Sequence, residues 1–406
     1  MIDLQGKRVG LYGGTFDPFH NAHRQLIESA LAQFPLDIIL VMPLGQPSHK
    51  TRRISLAAHR FEMARIGVEK LTRVIVSDDE IRTLGVDYTY KTVLRLKEQH
   101  RPLEVMILVG SDVLLSIDSW YRVADLMNEV ALGVVRRGDD DIDTLHDIAK
   151  KTTARYGAKI AFFDMPTSTL SSSDIRCFLE HNGRLSGQCP TSVESFIESH
   201  RLYALSPVYS LINNDDWERL IAFEGWGWRF ISQKRRVHSA SVAQYAANLA
   251  SIYKVNIAKA MACGLLHDIA KELPIEEQKA LADNYFDDDT ILSSFSDELL
   301  HGPAAAQLVS TMIKEQDTEF LDAIAFHSTG CGDMSVLGKI LFLSDKIAFD
   351  RSFKRLEPIR ALAEDGKIDD AMKLCLEEVF LALERDGVEL NPYSLHAYRA
   401  CAGNTH

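Results

Sequence analysis

The chain has 406 residues, 46% of them hydrophobic and 25% charged, which is more than one ordinary domain needs and enough for sizeable cores. Its formal net charge of −12 argues against a broad nucleic-acid surface while leaving room for local basic pockets that take nucleotides. The six cysteines form no Cys-x-x-Cys pair, the start of the chain has no basic-then-apolar leader, and no apolar run reaches spanning length; together these predict a cytoplasmic protein with reduced thiols and no membrane partner.

In chain order, short apolar runs at residues 9–12, 38–42, 74–77, 105–110, 131–135 and 160–163 alternate with helical patterns at 24–31, 56–69, 90–98 and 144–156. This alternation predicts a mostly parallel sheet covered by helices, with ligands just beyond the carboxyl ends of the strands. The first run leads into Gly13-Gly14-Thr15-Phe16-Asp17-Pro18-Phe19-His20-Asn21-Ala22-His23 and then a helix. Glycines there allow a phosphate close to the backbone, and the helix start supplies amide donors. His20 and His23, three residues apart, share one face of the first turn. The string is neither a P-loop, which needs Lys-Ser/Thr, nor a full G-x-G-x-x-G.

Later strand ends carry further candidates. Lys50 lies in the loop after the second run and can hold a phosphate as a point charge. Thr89, beside Tyr88, is placed to cap a helix. Gly110-Ser111-Asp112 offers a carboxylate for ribose hydroxyls, and Trp120-Tyr121 offers aromatic surface for a flat heterocycle. Leu170-Ser171-Ser172-Ser173-Asp174-Ile175-Arg176 puts hydroxyls, free amides and an arginine at another helix start, a cradle for polyphosphate.

The glycine–histidine string resembles the nucleotidylyltransferases whose signature ends His-x-Gly-His, with Ala22 where glycine is usual. Taken together, the motifs over about residues 1–205 resemble bacterial nicotinate-mononucleotide adenylyltransferase. The resemblance implies a Rossmann-like domain binding Mg²⁺ and ATP through Gly13, Gly14, Thr15, His20, His23, Gly110, Asp112, Ser172, Ser173 and Arg176. His20, His23 and Arg176 would carry catalysis, and Lys50, Tyr88, Thr89, Trp120 and Tyr121 would hold nicotinate mononucleotide. Asp87 replaces a usual serine and Ser173 a usual threonine. The choice between an acid and an amide acceptor stays open.

Ser206-Pro207 and the polar run Asn213-Asn214-Asp215-Asp216 mark a boundary, after which only helical patterns remain, at 237–252, 257–271, 302–313, 320–326 and 338–350. Residues 206–406 are therefore expected to form an all-α domain. Its chemistry lies in His238, His267-Asp268, His301, His327 and Asp345, since imidazole and carboxylate suit divalent transition metals. An adjacent histidine and aspartate on an apolar helix would be costly to bury unpaired.

This series resembles the HD superfamily of metal-dependent phosphohydrolases. His301 and His327 narrow the resemblance to the bacterial family that splits diadenosine tetraphosphate symmetrically into two ADP. It implies a dinuclear iron (or Mn²⁺) centre bridged by Asp268, with Lys271 and Arg351 as phosphate contacts. The segment Lys346-Ile347-Ala348-Phe349 departs from the family's aromatic, Glu-Pro-rich text. The expectation is a bifunctional α/β plus all-α enzyme of NAD biosynthesis, with no nucleic-acid partner and with homo-oligomerisation allowed. Two alternatives stand beside it: an HD domain that binds nucleotides to regulate rather than to hydrolyse, and an adenylyltransferase acting on nicotinamide mononucleotide.

Overall fold

The six apolar runs become six parallel strands, β1 (Arg8–Gly14), β2 (Ile38–Pro43), β3 (Val74–Val76), β4 (Glu104–Gly110), β5 (Ala131–Arg136) and β6 (Lys159–Asp164), in the order β3-β2-β1-β4-β5-β6. The computed structural model describes residues 3–45, 53–83, 85, 88–136, 141–166, 168, 170–181, 183–286 and 289–403. Lys50 and Asp87 lie outside the described residues. In the sheet centre Leu11 pairs with Leu40 on one side and Ile107 on the other. Val9, Leu40, Ile107, Leu132 and Val134 pack into one core, as expected of strands covered on both faces. Strand order reverses between β1 and β4, which opens a crevice at their carboxyl ends, beside Gly13 and Gly110.

The chain divides into two compact units, Met1–Glu198 and Ser199–His406. The division falls before the expected 205/206 because the intervening residues pack with the helical unit. Gln244 Nε2 donates to the carbonyls of His200 and Arg201 at 3.0 and 3.3 Å, and the Arg201 guanidinium stands 5.2 Å from the Phe349 ring centre.

The second unit is helical, with its chemistry on helices Gln233–Tyr253, Ile257–Leu266, His301–Met312, Thr318–Ala325 and Val336–Ile347. Two glycines set how closely these helices approach. A Cβ on Gly264 would fall 2.5 Å from Ala243 Cα, and one on Gly302 would fall 2.5 Å from the Ala325 carbonyl oxygen. The helix expected over 257–271 stops at Leu266, and His267 and Asp268 lie in the turn that follows. No helix among the described residues is long and apolar enough to cross a membrane.

Candidate functional site

In the first unit, the loop after β1 enters the helix Asn21–Gln33 with His20 at its N-cap. The His23 Nδ1 accepts from the His20 backbone N–H at 3.1 Å, and the two rings stack with centres 3.7 Å apart. Phe16, buried and at φ 52°, meets the His23 ring edge-on at 5.1 Å, and Phe19 lies 5.4 Å from it. The expected placement of both histidines on one face of the first turn is found.

Two buried arginines fix this loop. Arg176 Nη1 donates to the Asp17 carbonyl at 2.5 Å and Nη2 donates to Ser173 Oγ at 3.1 Å, while Ser172 Oγ donates to the Pro18 carbonyl at 3.1 Å. Arg60 gives Nε to the Ser55 carbonyl, Nη1 to the Thr15 carbonyl and Nη2 to the Gly45 carbonyl, at 2.9, 3.0 and 3.3 Å. Reasoning from sequence placed Ser172, Ser173 and Arg176 with the histidines, and the structure brings them together. It missed Arg60, one of several charged or polar residues of the helix Ala57–Val68, which also carries His59, Glu62 and Arg65 and so gave no signal that this one is buried. Such a residue must find acceptors when buried.

Beside the loop, at the strand-order reversal, lies a cavity of about 520 Å³. Gly13, Gly110, Asp112, Tyr88, Thr89, Trp120 and Tyr121 line it, whereas Gly14, against the Phe16 ring, and Thr15 are not in its wall. Tyr88 and Tyr121 stack with centres 4.4 Å apart, and Trp120 packs partly into the core. A Cβ on Gly13 would meet no protein atom within 4 Å, so bare backbone faces the open space. One local expectation fails. Thr89 does not cap its helix; Tyr88 is the N-cap residue, without a side-chain cap bond, and Thr89 is the first helical residue. The sequence also gave no notice of Glu80, a buried carboxylate in the cavity wall that accepts from Thr92 Oγ1 at 2.8 Å.

In the second unit, all six expected ligand residues meet. His238, His267 and Asp268 form one group able to hold a metal ion, and Asp268, His301 and His327 form another, so Asp268 is common to both. Asp268 Oδ1 lies 3.4 Å from His301 Nε2 and 3.7 Å from His327 Nε2, while Asp268 Oδ2 is 3.7 Å from His267 Nε2. Asp345 Oδ1 lies 3.0 Å from His238 Nε2 and 3.7 Å from His267 Nε2. His267 is the C-cap of its helix, with helical backbone and its N–H donating to the Cys263 carbonyl at 2.9 Å, and Asp268 follows in the turn.

The donor set fits a pair of divalent metals. His267 Nδ1 donates to the Gly264 carbonyl at 2.8 Å and His327 Nδ1 donates to the Ile324 carbonyl at 2.7 Å, which leaves Nε2 of each ring as the lone-pair donor. His267 Nε2 is buried and has no hydrogen-bond partner among the described residues. Burial lowers the pKa of His267 and His327 and takes His301 down to about 4, which favours neutral, ligand-ready rings. His238 differs: burial pulls it down, but Asp345 and Asp350 outweigh that and push it up to about 9.

Cations surround the carboxylates. Arg235 Nη1 reaches Asp268 Oδ2 at 2.5 Å, while Lys346 Nζ and Arg351 Nη2 reach Asp345 at 2.6 and 2.9 Å. Burial raises the Asp345 carboxyl, yet Lys346 and the His238 hydrogen bond hold it well below its ordinary value. Lys271 Nζ stands 3.1 Å from His301 Nε2, and Ser328 Oγ is 3.0 Å from Nε2 of both His301 and His327. Ser328 and Arg235 were not singled out from sequence, because a serine after a histidine and a surface arginine carry no spacing signal.

Comparison with known proteins agrees with this two-part architecture. Residues 11–178 match the cytidylyltransferase-like family, and residues 235–350 match the HD domain family. A crystal structure of a predicted HD superfamily hydrolase involved in NAD metabolism, from Clostridium acetobutylicum, is 30% identical, with 45% of this chain and 96% of that chain covered and a TM-score of 0.42. The probable nicotinate-nucleotide adenylyltransferase of Clostridium botulinum (strain Kyoto / Type A2) is 32% identical over 195 residues, 48% of this chain and 97% of that protein. Its counterpart in Synechococcus sp. (strain JA-3-3Ab) is 35% identical over 204 residues, 50% of this chain and 97% of that protein. Through its N-terminal half, followed by a helical HD domain, this chain belongs to the nicotinate-nucleotide adenylyltransferase family.

Proposed function

We propose that the chain carries two activities: transfer of AMP from ATP to nicotinate mononucleotide, giving deamido-NAD and pyrophosphate, and metal-dependent hydrolysis of diadenosine tetraphosphate to two ADP. The observation that supports the first is the stacked His20–His23 pair at a helix start, on a loop that Arg176 ties down at the Asp17 carbonyl and that begins at Gly13 in the wall of the cavity at the sheet's reversal. No enzyme nucleophile is needed, because the phosphate of one nucleotide attacks the α-phosphorus of the other in line. Catalysis is positioning and charge stabilisation. His20 and His23 meet the ATP phosphates, Ser172 and Ser173 offer hydroxyls and amides to them, and Gly13 admits the nucleotide to the backbone. Mg²⁺ with ATP supplies further charge neutralisation on the leaving pyrophosphate. Tyr88, Thr89, Trp120 and Tyr121 frame the pyridine ring.

The relatives' names support the acid as acceptor. The Glu80 carboxylate in the cavity wall is the one observation on the side of nicotinamide mononucleotide, since an anion repels the acid's carboxylate. Side-by-side turnover of the two acceptors with ATP tests the assignment. The reading requires the acid to have the higher kcat/KM, and a preference for the amide overturns it. His20→Ala should lower kcat by roughly 10²- to 10³-fold, the usual loss for one preorganised donor.

For the second activity the supporting observation is Asp268 shared by two ligand groups. His238, His267 and Asp345 would hold one metal with Asp268, and His301 and His327 would hold the other with Asp268. When bound, a divalent pair such as Fe²⁺ or Mn²⁺ activates water and neutralises phosphate charge. In this reading Arg351 and Lys271 meet the phosphates, supported by their positions beside Asp345 and His301. The test is release of ADP from diadenosine tetraphosphate by the full chain loaded with Mn²⁺ or Fe²⁺. Absence of turnover with either metal removes the hydrolase and leaves the regulatory alternative.

A further inference from the structure

A second cavity, of about 850 Å³, opens beside Asp345, between the segment after the helix Val336–Ile347 and the helix Ile368–Asp386. Its wall carries Lys346, Arg351, Lys354 and Arg385 against a single carboxylate, Glu378. That carboxylate is engaged by the Arg355 guanidinium at 2.8 Å. Arg385 also meets Asp386 at 3.1 Å, but both side chains are mostly exposed, and such pairs contribute little. The cavity is therefore cationic in a chain whose net charge is −12. Phe353 and Leu381, 38% and 56% exposed, add apolar surface to the same wall.

Lys346 and Arg351 connect this cavity to the metal-ligand cluster. Lys346 Nζ is 2.6 Å from Asp345 Oδ2, and Arg351 Nη2 is 2.9 Å from Asp345 Oδ1. An anion that touches either cation from the cavity side is one side chain away from the residues that would hold the metal. A single phosphate at the metals would be served by Lys346 and Arg351 alone. Lys354 and Arg385 line the same cavity, and neither is in the ion pairs with Asp345 that engage Lys346 and Arg351.

We infer that this cavity is the subsite for the part of the substrate beyond the scissile phosphate: the distal phosphates of a nucleoside polyphosphate lie along Lys346, Arg351, Lys354 and Arg385, with its base against Phe353 and Leu381. The inference rests on the proposed hydrolase reading and adds to it the side chains that would take the distal phosphates and the second base. Cation–phosphate contacts and aromatic surface for a flat base are the two requirements of such a ligand.

The test measures diadenosine tetraphosphate hydrolysis by the full, Mn²⁺-loaded chain in three forms: unchanged, Lys354→Glu/Arg385→Glu, and Lys354→Arg/Arg385→Lys. Both positions are exposed, so the fold tolerates the changes. The charge-reversed form should show a KM about tenfold higher, with KM moved more than kcat, and the charge-conserving form should return to near the original value. Inorganic tripolyphosphate, added as an inhibitor at fixed free Mn²⁺, should lose potency in the charge-reversed form by a similar factor. An unmoved KM overturns the subsite while leaving the hydrolase intact. A charge-conserving form as impaired as the charge-reversed one overturns the phosphate assignment. If the unchanged chain releases no ADP, the hydrolase reading fails and the subsite fails with it.

Discussion

Arg60 shows what a single residue contributes to the first site without facing the cavity. Its three hydrogen bonds to the carbonyls of Thr15, Gly45 and Ser55 tie the glycine–histidine loop to the helix behind it. Replacing it with alanine leaves buried acceptors without donors, at roughly 1–3 kcal/mol for each left unpaired. Arg60→Ala should therefore lower stability by on the order of 3 kcal/mol in denaturant unfolding and reduce adenylyl transfer along with it. Arg60→Lys should recover little of either, because an ammonium cannot reach three separated carbonyls with a planar fork. Residue types suited to chemistry are legible as candidates in the sequence, as His20, His23, His267 and Asp268 were. Residues that hold them are legible only once their partners are known. Arg60 and Ser328 belong to that second class, and so does Glu80, which pairs with Thr92 twelve positions later.

Among elements, helix ends decide more than helix middles. Helical periodicity located most of the second unit's helices, but not the stop at Leu266 just before His267 and Asp268, nor the exact start that puts His301 in a first turn. Nor does a local pattern reveal the contacts of backbone on backbone that Gly264 and Gly302 allow. The helix Thr318–Ala325, which leads into His327, is capped by Asp317, whose Oδ1 accepts from the Phe320 N–H at 3.2 Å. Asp317 also meets Lys259 Nζ at 2.6 Å. The Lys259 hydrogen bond, with the backbone bonds, holds the Asp317 carboxyl below its ordinary 3.8. A carboxyl lowered on folding adds stability above its unfolded pKa, and that stability is lost as pH falls through the folded value. Asp317→Ala should cost about 1 kcal/mol at neutral pH, the usual effect of losing such a cap. Thermal unfolding of both forms from pH 7 down to pH 2 should show the gap closing below about 4, where the unfolded carboxyl begins to protonate. A gap that stays constant over that range rules out the ionised carboxylate as its source.

At the scale of the whole molecule there are two centres, each assembled within one compact unit. His267→Ala should abolish diadenosine tetraphosphate hydrolysis in the full chain and leave adenylyl transfer at its original rate, while His20→Ala should do the reverse. A change in adenylyltransfer kinetics on His267→Ala, with no hydrolysis to lose, would favour a regulatory HD domain instead. By itself the sequence determined the two-part plan, the parallel sheet and the identity of the candidate ligands, because periodicity and residue chemistry are local properties of the chain. Only the tertiary structure decided that Arg235 and Ser328 join the candidate ligands, that Lys346 and Arg351 connect those ligands to a second cavity, and that residues 199–205 pack with the helices. Those outcomes depend on where distant segments come to rest. In the second unit, the close backbone approaches at Gly264 and Gly302 set that placement, and no window of sequence contains both sides of such a contact.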